Sequence, residues 1–136
     1  MAMDWKLEVI IIPVSDVDRA KRFYHEQVGF TLDHDVSSSD SFRVVQLTPP
    51  GSACSIALGV GLTEVPPGMA HGMKLVVPDI EAARAELVER GVDVTPVQHF
   101  ENGTWLEGKG GPWNSFVRFS DPDDNRWVIQ ERPATS

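Results

Sequence analysis

An α+β fold built from two tandem βαβββ modules is the architecture this chain predicts. Two observations carry the reading: one stretch of sequence grammar occurs twice, and extended segments outnumber helices. Residues 8–30 and 71–92 each read as a strand, a turn with an aspartate, a helix and a closing glycine. A shift of 63 residues lays Asp16 on Asp79, Val17 on Ile80, Ala20 on Ala83 and Tyr24 on Leu87, and skipping one residue brings Gly29 onto Gly91. At 136 residues the chain has the size of one domain made of two half-size modules.

Each element follows from local chemistry. The first strand lies in the apolar run at residues 9–14. In the first helix Val17, Ala20, Phe23, Tyr24 and Val28 share one face at 3.6-residue spacing. Ser15 or Asp16 caps its start, Ser15 with Asp18 matches a capping box, and Gly29 ends it. Residues 30–36, 42–48 and 54–58 then read as strands, divided by the turn-rich SSSD and PPGS. A linker with two prolines and a glycine, TEVPPGMA, leads to the second module. There Asp79 caps a helix whose stripe is Ile80, Ala83, Leu87 and Val88, and Gly91 stops it. Residues 92–98, 115–119 and 127–131 complete the strands, the last two joined by the turn DPDDN. The boundaries are about 7–60 for module one, 61–70 for the linker and 71–132 for module two, within a single domain of residues 1–136.

Composition excludes several classes of partner. Hydrophobic residues make up 41% and charged residues 24%, which is ordinary globular usage. The net charge is −8 and no basic cluster occurs, so neither nucleic acid nor an anionic membrane is an expected partner. No apolar run approaches the ~20 residues of a membrane span. The start MAMDWKLEV lacks the pattern of a signal peptide. The single cysteine, Cys54, excludes an internal disulfide and a Cys-rich zinc cage. A cytoplasmic location is expected.

With two βαβββ modules, VSDVDRAKRFYHEQVGF near the start and FSDPDDNRWVIQE at the end, the chain resembles the vicinal oxygen chelate superfamily. That superfamily includes glyoxalase I, bleomycin-resistance proteins and extradiol dioxygenases. The resemblance covers about residues 7–132. The closing motif of the family is DPDGN. Here Asp124 stands in place of the glycine, and aspartate tolerates a left-handed turn better than most residues. The resemblance implies curved mixed sheets that enclose a cavity, with His or Glu on the cavity strands holding a divalent metal. The corresponding positions here are Val9, about Ala57, Gly72 and Val128, none of which offers a donor to such a cation. No metal and no other cofactor is therefore expected. Glu8, His71 and Glu131 lie near those positions but out of phase, and a one-residue slip turns a strand side chain to the opposite face. His25, His34 and His99 fit no ligand spacing and read as surface residues.

The same phase places Val9, Ile11, Ala57, Gly72, Lys74, Val76, Val128 and Gln130 toward the cavity, with Gln46 and Arg43 reaching it from the third strand. Lys74 amid apolar neighbours either pairs with a carboxylate or sends its ammonium to the rim. Residues 99–114, HFENGTWLEGKGGPWN, combine four glycines with Trp105 and Trp113. They read either as a loop closing over a ligand or as tryptophans packed on their own sheet. Trp127 belongs to the helix-side core, and Trp5 to a contact with a partner chain. No phosphate loop, activated cysteine or nucleophile elbow is present.

Two functions follow from these expectations. One is a metal-free binding protein, similar to the bleomycin-resistance branch, holding an apolar or aromatic small molecule. The acidic charge would favour a cationic ligand. The alternative is an enzyme: a metal-dependent lyase or dioxygenase with Glu8, His71 or Glu131 as atypical ligands, or a metal-free isomerase or hydrolase using Lys74, Gln46 or Glu131. In either case a homodimer is expected, because the resemblance implies modules paired across chains and four tryptophans are many for so small a surface.

Overall fold

The computed structural model describes residues 2–134. The chain divides between Met69 and Ala70 into two compact units.

In unit one, β1 (Val9–Ile11), β2 (Thr31–Ser39), β3 (Phe42–Thr48) and β4 (Ser55–Val60) form a mixed sheet in the order β1-β4-β3-β2, with β1 parallel to β4 and the other pairs antiparallel. Helix α1 (Val17–Arg22) packs on β4. The Asp16 side chain accepts the Arg19 N–H at 3.0 Å and so caps α1. The Ser15 hydroxyl oxygen accepts from the Arg19 guanidinium at 3.3 Å. Beyond Arg22 the helix widens into a π-helical turn, Phe23–Gln27, where the Val28 N–H reaches the Phe23 carbonyl at 2.9 Å. Gly29 then reverses the chain at φ +90°, where a side chain would be strained. Val17, Ala20, Phe23 and Tyr24 are buried as the helical spacing predicts. Tyr24 meets Phe23 edge-on at 5.2 Å and stacks on Phe30 at 5.8 Å. In β4 a side chain at Gly59 would stand 1.8 Å from the Arg43 carbonyl, so only glycine fits there.

In unit two, β5 (Met73–Val77) is followed by α2 (Ile80–Glu89) and four strands: β6 (Gln98–Glu101), β7 (Thr104–Glu107), β8 (Phe116–Ser120) and β9 (Arg126–Glu131). The sheet order is β5-β9-β8-β6-β7, with β5 parallel to β9. Asp79 caps α2 through the Ala82 N–H at 3.1 Å, and Gly91 sits at φ +83°. The repeat therefore holds at both helix ends. Ile80 and Leu87 are buried, but Val88 is 49% exposed and does not belong to the stripe.

One strand expectation fails here. Residues 92–98 do not form a strand: Val94 makes one bridge to Phe119, and pairing resumes only at Gln98. Pro96 lies between them and has no N–H to give a ladder. The glycine-rich segment at 99–114 is not a plain loop either. Residues 98–107 fold into a β6–β7 hairpin around Asn102 and Gly103, at φ +51° and +80°. Both values suit the two central residues of a type I′ turn.

The DPDDN turn before β9 is built around a buried carboxylate. Asp121 accepts the N–H groups of Asp123 and Asn125 at 2.9 and 2.8 Å, and the Asn125 amide donates to its second oxygen at 2.8 Å. Asp124 occupies the glycine position at φ +69°, as the sequence predicts. Neither sheet closes on itself. Among the described residues no helix is long and apolar enough to cross a membrane.

Candidate functional site

Strand register sorts the candidate residues by face. In unit one Val9 pairs with Ser55, Ile11 with Ala57, and Ala57 with Gln46. Val9, Ile11, Ala57 and Gln46 therefore share the face turned away from α1, along with Val44 and Thr48. A hydroxyl cluster closes one end of it, where Thr48 contacts Asp33 and Ser55. Arg43 is not on this face. It is one residue out of phase with Gln46, and it bonds Asp18 of α1 at 3.0 Å and Asp35 at 2.8 Å. Lys21 of α1 joins at 2.9 Å. Hydrogen bonds from Arg43 and then Lys21 hold the Asp35 carboxyl far below the usual carboxylate range, and the hydrogen bonds to Asp35 and then Asp18 raise Arg43. This network pins the helix to the sheet and leaves the far face without a charge from Arg43.

In unit two Lys74 pairs with Val128, Val128 with Arg118, Val76 with Gln130, and Gln130 with Phe116. Gln98 continues the Phe116 row into β6, and Phe100 pairs with Trp105 on the same side. The open face of unit two thus gathers Lys74, Val76, Val128, Gln130 and Trp105 of the candidate set. It adds Phe100, Phe116, Arg118 and Gln98, which the sequence reading missed. The aromatic rings form a chain: Phe100 and Trp105 meet edge-on at 5.1 Å, and Trp105 and Phe116 at 5.4 Å. The Arg118 guanidinium lies 4.3 Å over the Trp105 ring and its Nη1 donates to Gln98 Oε1 at 3.3 Å. The Lys74 ammonium stands 6.0 Å from the Phe116 ring centre. Trp105 remains 43% exposed.

Trp113 stands apart from this chain of rings. It lies in the turn after β7 at φ +63°, and its carbonyl accepts from Gln130 Nε2 at 2.8 Å. Trp127 is buried and stacks on Phe119 at 5.9 Å, in the helix-side core as expected. Trp5 is 88% exposed. Two concavities of unit two lie off the aromatic row. One of about 520 Å³ touches it only at Arg118, and another of about 550 Å³ lies beside Asp79, Lys109 and Trp113.

Glu131 and His99 have structural partners of their own. Glu131 accepts the Ile80 N–H at the start of α2 at 2.9 Å and pairs with Lys109 at 3.0 Å. The Ile80 N–H, helped by Lys109, lowers its pKa. In the DPDDN turn the hydrogen bond from Arg126 holds the Asp124 carboxyl below the usual carboxylate range. His99 spans the hairpin, with Nδ1 2.8 Å from the Gly108 carbonyl and Nε2 3.1 Å from Glu101. Gly108 first and Glu101 second raise its pKa. Among the described residues no group of three His, Cys, Asp or Glu side chains could hold a metal ion.

Paired βαβ-based units with open faces on the strands define a glyoxalase-like protein. The chain belongs to the Glyoxalase/Bleomycin resistance protein/Dioxygenase superfamily, whose family model matches residues 6–129. Among solved structures it is similar to TnmS3, an antibiotic binding protein from Streptomyces sp. CB03234, with 34% identity, 97% of this chain and 98% of that chain covered, and a TM-score of 0.76. A glyoxalase/bleomycin resistance protein from the same Streptomyces strain is 35% identical, with 92% and 99% covered and a TM-score of 0.73. A superfamily member from Sphaerobacter thermophilus DSM 20745 is 31% identical, with 96% and 100% covered and a TM-score of 0.75.

Proposed function

We propose that this protein binds a flat, mostly apolar organic molecule and works without a resident metal or other cofactor. The observation that carries the proposal is the aromatic chain Phe100–Trp105–Phe116, left open on the sheet face beside Val76 and Val128. Pockets for such ligands combine apolar walls with a few polar groups that fix orientation. On unit two Val76 and Val128 supply apolar surface, while Lys74 and Gln130 supply polar groups; the open face of unit one, taken by itself, offers Val9, Ile11, Ala57 and Gln46. The likeness to an antibiotic binding protein at 34% identity supports a small-molecule ligand. The enzyme alternative has less support, because both Glu131 oxygens are engaged within unit two.

A single sheet face is one wall, and a homodimer is the proposed source of cover. Trp5, Leu7 and Met3 are largely exposed beside β1 and offer apolar surface to a second copy. The single thiol, Cys54, suits the reducing cytoplasm, where we place the protein's work.

The test is tryptophan fluorescence titrated with a panel of aromatic antibiotics and polyketide-like compounds. Stacking on a ring contributes ~0.5–1.5 kcal/mol beyond area burial, so Trp105→Ala weakens binding several-fold. Trp113→Ala, off the aromatic chain, has the smaller effect. Elemental analysis of the purified protein is expected to show no stoichiometric divalent metal. One metal per chain, lost on substituting Glu8 or His71, would overturn the metal-free reading.

A further inference from the structure

The aromatic face carries a second kind of information, which names the ligand's chemistry. Lys74, Val128 and Arg118 form one row across three adjacent strands, because Val128 pairs with Lys74 on one side and Arg118 on the other. Neighbouring strands lie about 4.8 Å apart, so the two cationic residues flank Val128 within about 10 Å at the backbone. Both side chains are long and project from the same face over a short valine. Elsewhere in the chain cations are mostly matched with acids, as in Lys21–Asp35, Arg43–Asp18, Lys109–Glu131 and Arg126–Asp124. Lys74 and Arg118 have no carboxylate partner among the described residues; their contacts are with Phe116, Trp105 and Gln98. Glu107 lies on the same face at its far edge, paired with Gln98, but makes no ion pair with either cation, so the row of Lys74, Val128 and Arg118 is locally positive in a chain with 20 acidic and 12 basic side chains.

Resting on the binding reading above, we infer that the ligand is an aromatic acid: a planar ring system bearing a carboxylate or ionised phenol. Its rings lie against Trp105 and Phe116, and its anionic oxygen sits over Val128 between Lys74 and Arg118. A charged acceptor gains more from these donors than a neutral one, and the guanidinium fork fits a carboxylate in the plane of its rings. The chain's overall −8 charge does not oppose this. Charges farther than about 10 Å are screened at physiological ionic strength, whereas the two cations would touch the oxygen.

The test compares three probes of one shape: 9-anthracenecarboxylate, 9-anthracenecarboxamide and 9-aminomethylanthracene. Affinities are measured by tryptophan quenching and calorimetry, in low and in moderate salt. The carboxylate is expected to bind about tenfold more tightly than the amide, and the amine most weakly. Lys74→Met and Arg118→Gln each reduce the ratio of acid to amide affinity. Because that ratio is taken within one variant, a general loss of folding or stacking cancels. Equal binding of acid and amide, or preference for the amine, would overturn the inference while leaving the binding reading in place. No binding by any of the three, nor by the aromatic panel above, would overturn both.

Discussion

The two units make the same fold from the same sequence grammar and present different faces. Row for row, Ile11–Ala57–Gln46 in unit one occupies the register of Lys74–Val128–Arg118 in unit two. Val44 and Gly59 likewise correspond to Phe116 and Gln130. Unit one is aliphatic and neutral in these rows, with its arginine turned to the helix side to hold Asp18 and Asp35. Unit two is aromatic and cationic there. The backbone scheme is thus conserved between the halves by caps and glycines, while the open face is free to diverge. A side chain on that face contributes little to the helix–sheet core, so changes there alter chemistry at small cost to folding.

Breaking the shared register at its tightest point has the largest expected effect. Gly59→Ala forces a Cβ against the Arg43 carbonyl and is expected to cost about 3 kcal/mol, read from chemical denaturation. The matching change in unit two, Gln130→Ala, loses only the bond to the Trp113 carbonyl and costs about 1 kcal/mol. Equal costs would mean that the two rows are not equivalent in the way described.

The caps sharpen the comparison from the other side. Asp16→Ala and Asp79→Ala are each expected to cost about 1 kcal/mol, since each removes one side-chain acceptor from a helix start. A large inequality between the two would show that the repeat is one of pattern rather than of function.

Acid sensitivity separates the units next. Asp35 and Glu131 both have lowered pKa values, so each adds stability that is present above the ordinary carboxylate range and lost as pH falls through its lowered pKa. The shift is the larger at Asp35, so Asp35→Asn is expected to flatten the loss of stability below about pH 4 more than Glu131→Gln does. Melting curves taken from pH 6 to pH 2 check the order. The smallest effect belongs to His99, whose pKa is raised. Its contribution is fully present below about pH 6.5 and fades as pH rises through the folded value. Its imidazole proton resonances, followed from pH 5 to pH 9, are expected to titrate above those of an unfolded peptide.

How far the sequence was legible depends on the kind of signal. Asp16, Asp79, Gly29 and Gly91 act locally, and each sits at the helix end its chemistry predicts. Period-two alternation placed Val128 and Gln130 on one face, and the same rule applied to β8 would have found Phe116 and Arg118. The hairpin at 98–107 carried the strongest short signal of all, Asn102-Gly103 between alternating residues. Four glycines in the segment drew attention to looseness instead. Pro96 broke a strand that composition alone favours. The ring contacts of Trp105 depend on which strand lies beside which, and that order is set by the fold as a whole.

The most direct measurement is nuclear magnetic resonance mapping of the protein titrated with 9-anthracenecarboxylate. The account expects the largest shifts at the Trp105 indole and at Phe100, Phe116 and Arg118, with smaller changes at the methyl groups of Val76 and Val128. Shifts confined to unit one, with the rings of unit two unmoved, would contradict it.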